Sequence, residues 1–183
     1  AIAKSGPLPK LRHLGLGGFT SAQLEELSAL PLAKGIESIS LLRFRGKFPT
    51  AVLAKFPSLS TLEVNYLMDE GPNTLDLAEL PGLRSLHIGS STRFESVTCL
   101  GKLKTLDLSG CSGIVSVQAL GGFPNLRMLD LSNCASLGSV APLQSCATLH
   151  TLNLAACVKL KDCRGLGRCV ALGTLNMNEV CNI

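Results

Sequence analysis

Tryptophan is absent from the 183 residues, tyrosine occurs once, and only 16% of the side chains are charged. With 46% hydrophobic residues the chain can bury a continuous core, so a solvated, disordered polymer is excluded. Six phenylalanines are the only other aromatics, so that core has to be aliphatic. No apolar run approaches the ~18–20 residues of a membrane-spanning helix, and no basic-then-apolar opening reads as a signal peptide. The chain opens Ala1-Ile2-Ala3 without a methionine, which leaves room for a removed segment. A net charge of +4, with Lys and Arg spread along the chain, is too weak and dispersed for a nucleic-acid footprint. Phosphate loops, dinucleotide fingerprints and metalloprotease helices are missing as well. Gly15-Leu16-Gly17-Gly18 lacks phosphate-loop spacing and reads as packing. The expectation is a chain with no cofactor, no metal, no membrane or nucleic-acid partner and no small-molecule substrate.

What is present is a period. Leu103-Lys-Thr-Leu106-Asp-Leu108-Ser-Gly-Cys111 is followed by Leu126-Arg-Met-Leu129-Asp-Leu131-Ser-Asn-Cys134 and by Leu149-His-Thr-Leu152-Asn-Leu154-Ala-Ala-Cys157. The first leucines of these units and Leu172 recur every 23 residues. A fixed period with L-x-x-L-x-L-x-x-(N/C) inside it resembles the leucine-rich repeat family. The resemblance implies an α/β solenoid: an arc with a parallel concave sheet and short helical, 3₁₀ or extended convex returns. Counting the first leucine of each unit as position 1, about eight repeats start near residues 11, 36, 59, 83, 103, 126, 149 and 172. Residues 1–183 then form a single repeat domain. Leu8-Pro9-Lys10-Leu11 matches the segments that close one repeat and open the next, so a fragment of a longer protein is expected. Leu172, Leu175 and Met177 likewise form an inward set with no later coil to cover them.

Side chains alternate along a strand, so positions 4 and 6 point inward and positions 3, 5 and 7 face out. On the return side, Thr20-Ser-Ala-Gln23 offers a capping box ahead of Leu24, Leu27 and Leu30. Pro49 to Phe56 reads as a short helix, and Asp69 to Asn73 as a turn cluster. Ile114, Val117, Leu120 and Phe123 recur every third residue, as do Leu137, Val140, Leu143 and Cys146. That period suits extended or 3₁₀ turns better than an α-helix. More helix is expected in the first two repeats than in the last four.

All eight cysteines lie in the second half. Cys111, Cys134 and Cys157 share position 9, Cys146 and Cys169 share another column, and Cys163 aligns with Val117 and Val140. Cysteine exchanging with apolar residues is cysteine used as a small buried hydrophobe, which predicts free thiols and a reducing, cytoplasmic setting. Cys at position 9, with Cys146-Ala-Thr-Leu149 and Cys169-Val-Ala-Leu172, resembles the repeats of F-box-type substrate receptors, although those repeats are longer. Leu-Ser-Gly-Cys with short returns also resembles intracellular repeat proteins of trypanosomatid parasites.

The outward columns are mostly small and polar. Against that background Leu42, Arg43, Glu63, Tyr66, His87, Asp107, Met128 and Asp130 stand out as partner-binding candidates. Arg43 and Tyr66 share position 8 in adjacent repeats, and Arg and aromatic residues are favoured interface anchors. His87 sits between Glu63 and Asp107 in position 5, which should raise its pKa. His13, His87 and His150 share no outward column with a cysteine or serine in nucleophile geometry, so no catalytic set is predicted. The expected function is a non-catalytic protein-interaction module that uses its concave face. The alternatives are an assembly subunit of a large complex or the substrate-receptor part of a ubiquitin ligase. Charge reversal at Asp107 and Asp130 is expected to weaken partner binding and leave the fold intact.

Overall fold

Each Leu-x-x-Leu-x-Leu unit becomes one short strand, because its apolar residues fall on alternate positions. The computed structural model describes residues 8–44, 48–65, 74–92, 94–98, 102–118 and 124–180. In chain order the strands are β1 (His13–Gly17), β2 (Ser38–Leu42), β3 (Thr61–Asn65), β4 (Thr74–Asp76) and β5 (Ser85–Gly89). They continue as β6 (Ser96–Thr98), β7 (Thr105–Asp107), β8 (Met128–Asp130), β9 (Thr151–Asn153) and β10 (Thr174–Asn176). Eight of them form one open parallel sheet in the order β1-β2-β3-β5-β7-β8-β9-β10. Every strand therefore lies beside the strand of the next coil, as a solenoid requires.

The register is that of the repeat alignment: Leu14, Ile39, Leu62, Leu86, Leu106, Leu129 and Leu152 are successive partners at position 4. With position 6 and the opening leucines they form one core that runs the length of the stack. Leu175, at position 4 of β10, is 43% exposed.

The returns differ along the chain. Thr20 accepts from Gln23 N while the Gln23 side chain accepts from Thr20 N, so the predicted capping box starts helix α1 (Ser21–Ser28) and buries Leu24 and Leu27. A 3₁₀ turn over Pro31–Gly35 follows. In the second coil the expected helix from Pro49 to Phe56 is only α2 (Thr50–Leu53). Pro57 disfavours a helical conformation for Phe56 and restricts extension in that direction. Among the described residues beyond it, the returns carry 3₁₀ turns at Ala141–Ser145 and Arg164–Arg168 in place of α-helix. A second parallel ladder on the return side pairs β4 with β6, and further along the stack isolated parallel bridges join Ser116 to Ser139 and Ser139 to Asp162. The period of three foretold extended returns, whereas their pairing into a ladder was not foreseen. The Asp69 to Asn73 cluster lies outside the described residues.

Candidate functional site

The parallel register assembles position 5 into one line on the concave face: Gly15, Ser40, Glu63, His87, Asp107, Asp130, Asn153, Asn176. Neighbouring strands lie ~4.8 Å apart, so polar side chains on adjoining coils can touch. They do. Asn65 Nδ2 donates to Glu63 Oε1 at 2.7 Å, and Asn65 Oδ1 faces His87 Nε2 at 3.1 Å. The other ring nitrogen, His87 Nδ1, lies 2.6 Å from Asp107 Oδ2. Both imidazole nitrogens thus face oxygens, an arrangement satisfied in full only when both carry protons.

Electrostatics agree with the geometry. The Asp107 hydrogen bond raises the His87 pKa above its ordinary 6.5, partial burial opposes the rise, and the charges of Asp107, Glu63 and Asp130 add to it. For Asp107, burial alone would push the carboxyl up. The hydrogen bonds from His87 and Ser109 outweigh it and hold the carboxyl below its ordinary value. Gly89 makes room for this cluster: a Cβ there would overlap Asn65 Oδ1 and lie 2.9 Å from His87 Nε2. A glycine in an outward column was the available signal, and Asn65 was the member that sequence reasoning passed over.

A second cluster continues the strip. Asn153 Nδ2 donates to Asp130 Oδ2 at 2.9 Å, and Ser132 donates to Asp130 Oδ1 from its hydroxyl and its backbone N–H, at 2.6 and 2.8 Å. Asp107 Oδ1 likewise accepts from Ser109 N at 2.9 Å, Asn153 Oδ1 from Ala155 N at 3.1 Å, and Asn176 Oδ1 from Asn178 N at 3.1 Å. Each Asp or Asn at position 5 therefore caps the end of its own strand two residues on, a local turn that short polar side chains favour. This corrects one expectation. Reversing the charge at Asp107 and Asp130 would remove these caps, so it would weaken the fold as well as change the face. Asparagine, which makes the same turn at positions 153 and 176, is the neutral substitute.

The remaining candidates fall in three places. Leu42 and Met128 lie on the concave face, 43% and 47% exposed, on either side of the charged strip. Arg43 is exposed at the rim with φ of 54°, in the left-handed region. Position 8 takes that conformation again at Gly18, Ser90, Gly110, Asn133, Ala156 and Glu179, so Arg43 occupies a turn shared by seven coils among the described residues. Tyr66, its proposed companion, lies outside the described residues.

The cysteine column has a backbone role that the sequence hid. Cys111 Sγ donates to Ile88 O at 3.1 Å, Cys134 Sγ to Leu108 O at 3.3 Å and Cys157 Sγ to Leu131 O at 3.0 Å. Each thiol reaches the position 6 carbonyl of the preceding coil. Cys111, Cys134, Cys157 and Cys169 are free and buried, Cys163 is free and half-buried, and Cys146 is buried. Burial pushes Cys111 and Cys157 up to about 11 and raises Cys134 further, so these thiols stay protonated at neutral pH.

An open parallel sheet ordered along the chain, built from L-x-x-L-x-L coils with short returns, is the leucine-rich repeat fold. No family model matches the chain, and no curated protein matches it by sequence. Among solved structures, an internalin (inlF) from Listeria monocytogenes str. 4b F2365 superposes with a TM-score of 0.50 at 17% identity, over 92% of this chain and 61% of that one. The plant peptide hormone receptor RGFR1, in complex with RGF2, gives a TM-score of 0.46 at 14% identity, over 91% of this chain and 32% of that one. The chain spans less than two thirds of the length of either structure. The likeness is one of fold.

Proposed function

We propose that the chain is a non-catalytic protein-interaction module whose concave sheet receives an extended, basic segment of a partner protein. The observation that carries this reading is the exposure of Leu42 and Met128 on a rigid sheet, with the Glu63–His87–Asp107–Asp130 strip between them. From β2 to β8 is four strand steps, and from position 7 to position 3 is four residues along the strand. The diagonal is about 23 Å, the reach of about seven extended residues. Such a segment would set apolar residues on Leu42 and Met128 and a Lys or Arg over the carboxylates. Arg43 adds a rim contact beside Leu42. The ordered caps hold the acceptors in place before binding, which lowers the ordering cost of association.

Partner capture from the source cells tests this with three forms of the protein: wild type, Asp107→Asn with Asp130→Asn, and Leu42→Ala with Met128→Ala. The charge pair should weaken retention of a shared partner about tenfold and flatten its salt dependence, and the apolar pair should weaken it with little change in salt slope. Identical partner sets at identical strength in all three would overturn the concave-face reading. That outcome would favour the assembly role, for which the exposed return-side residues Val115, Val158 and Val170 offer contacts. The substrate-receptor reading rests on Cys at position 9, and those thiols serve backbone carbonyls here. Buried free thiols also support a reducing, cytoplasmic setting. Disulfides among them in protein isolated under non-reducing conditions would overturn that.

A further inference from the structure

Position 2 lies at the rim of the concave sheet, and the register stacks its residues as it stacks position 5. In the first two coils the column neutralises itself, with Arg12 Nε 3.3 Å from Glu37 Oε1. Ser60 follows, and then come Arg84, Lys104, Arg127 and His150 on four successive coils, all exposed. Their spacing is set by the backbone: Lys104 N donates to Arg84 O, Arg127 N to Lys104 O and His150 N to Arg127 O, each at 2.8 Å. Among the described residues no side-chain hydrogen bond or ion pair engages Arg84, Lys104 or Arg127. Lys102 adds a further exposed cation one residue before the fifth coil opens. Read along the sequence these charges are dispersed; folded, they form a single file.

We propose that Arg84, Lys104 and Arg127 form a docking line for an extended acidic segment of a protein partner. The three positions span about 10 Å, the reach of about four extended residues, of which about two point to one side. Alternate carboxylates of such a segment, ~6.7 Å apart, fall within the reach of long side chains rooted ~4.8 Å apart, and the two Arg forks suit planar carboxylates. The acidic strip at position 5 runs parallel to this file, three residues or about 10 Å away. It would repel the second phosphate row of a duplex and the breadth of an anionic membrane. Single-stranded nucleic acid is recognised by stacking on aromatic side chains. Positions 2, 3 and 5 of the eight coils hold histidine but no Phe, Tyr or Trp. A narrow polypeptide fits between these constraints.

The rim file stands apart from the central strip, so either can fail without the other. The test is fluorescence anisotropy with a labelled octapeptide of alternating glutamate and serine, with thermal melting run alongside to confirm the fold. Wild type should bind it in a salt-dependent way. Arg84→Glu with Arg127→Glu should weaken binding at least about tenfold at an unchanged melting temperature, and lysine at both positions should retain most of it. Asp107→Asn with Asp130→Asn should leave binding intact or tighten it, which separates this site from the concave strip. No binding by wild type, equal binding by the double-glutamate variant, or tighter binding of an equally charged oligothymidylate or of phosphatidylserine vesicles would overturn the proposal.

Discussion

In β1, β2, β3 and β5 the parallel ladder runs through position 7, so Leu42 lies opposite Gly17 and Asn65, and Asn65 opposite Gly89. In β7 to β10 the paired strands stop at position 5, although the position 6 and position 8 N–H groups still donate to the next coil. The same sheet is thus finished in two ways. Where position 5 is Gly, Ser, Glu or His, the backbone completes the strand. Where it is Asp or Asn, the side chain takes the position 7 N–H, and in three successive coils the Cys at position 9 of that same coil donates to the position 6 carbonyl of the preceding one. The two column changes belong together: one removes a donor from the ladder and the other supplies a replacement. The shorter strand accompanies a shorter return, 3₁₀ in the seventh coil where the first coil has an α-helix. Local side-chain chemistry can therefore stand in for main-chain pairing without breaking the stack.

The tight returns of the second half give the sharpest test. Gly165 opens against the preceding coil, and a Cβ there would overlap Ala141 O and lie 2.8 Å from Ala141 C and Cα. Backbone cannot swing aside as a side chain can. Gly165→Ala should cost about 3 kcal/mol in chemical denaturation. Gly167→Ala, in the same turn with nothing within 4 Å, should be close to neutral. Equal effects would show that the returns are looser than the structure draws them.

Strand caps come next. Asp130→Ala strips an acceptor from Ser132 N, Ser132 Oγ and Asn153 Nδ2 and should cost about 1–2 kcal/mol. Asp130→Asn should cost less than half of that, because an amide oxygen makes the same turn at Asn153. Ser40→Ala, in the same column of a five-residue strand, should change little. A loss at Ser40 matching that at Asp130 would erase the distinction between the halves.

Much of this was legible in advance, for a physical reason. Fold follows from apolar period, which depends on residue type alone, so the eight strands, their register and the α1 cap could be read from leucines and one Thr-x-x-Gln. The site was legible only as columns. That His87 sits between Glu63 and Asp107 follows from register; that Asn65 joins them depends on side-chain direction and on the space left by Gly89. The cap made by Asp107 and the thiol rung made by Cys111 both depend on which backbone group lies within 3 Å, which no column of letters contains. The rim file escaped notice because position 2 precedes the strand, whereas only positions 3, 5 and 7 were counted as outward columns.

Position 8 behaves alike in both halves, which makes it a control on the comparison. Ala156 holds φ of 58°, and side chains with a Cβ pay for that conformation. Ala156→Gly should stabilise the chain by about 0.5–1 kcal/mol, net of the glycine's own entropy in the unfolded state. Arg43→Gly, with φ of 54°, should do the same in the first half. A gain in one half only would mean that the turns differ as the strands do.

The junction between the two regimes is His87, which ends the five-residue strands and touches the first capped one through Asp107. Its folded pKa lies above 6.5, chiefly through that hydrogen bond. A group whose pKa rises on folding binds its proton more tightly in the folded state. Its contribution is therefore complete below the unfolded value and fades as pH climbs through the folded one. Asp107 runs the opposite way: its lowered pKa contributes above the ordinary carboxyl range and is lost in acid. Between these limits both groups are charged and the strip is tied across β3, β5 and β7. Raising the pH from 6.5 upward should then lower the melting temperature slightly in wild type, and by less in His87→Gln. An imidazole titration followed by proton NMR should place the His87 midpoint above 6.5. A midpoint at or below that value would mean that burial prevails over the carboxylates, and the junction would then be held by neutral hydrogen bonds alone.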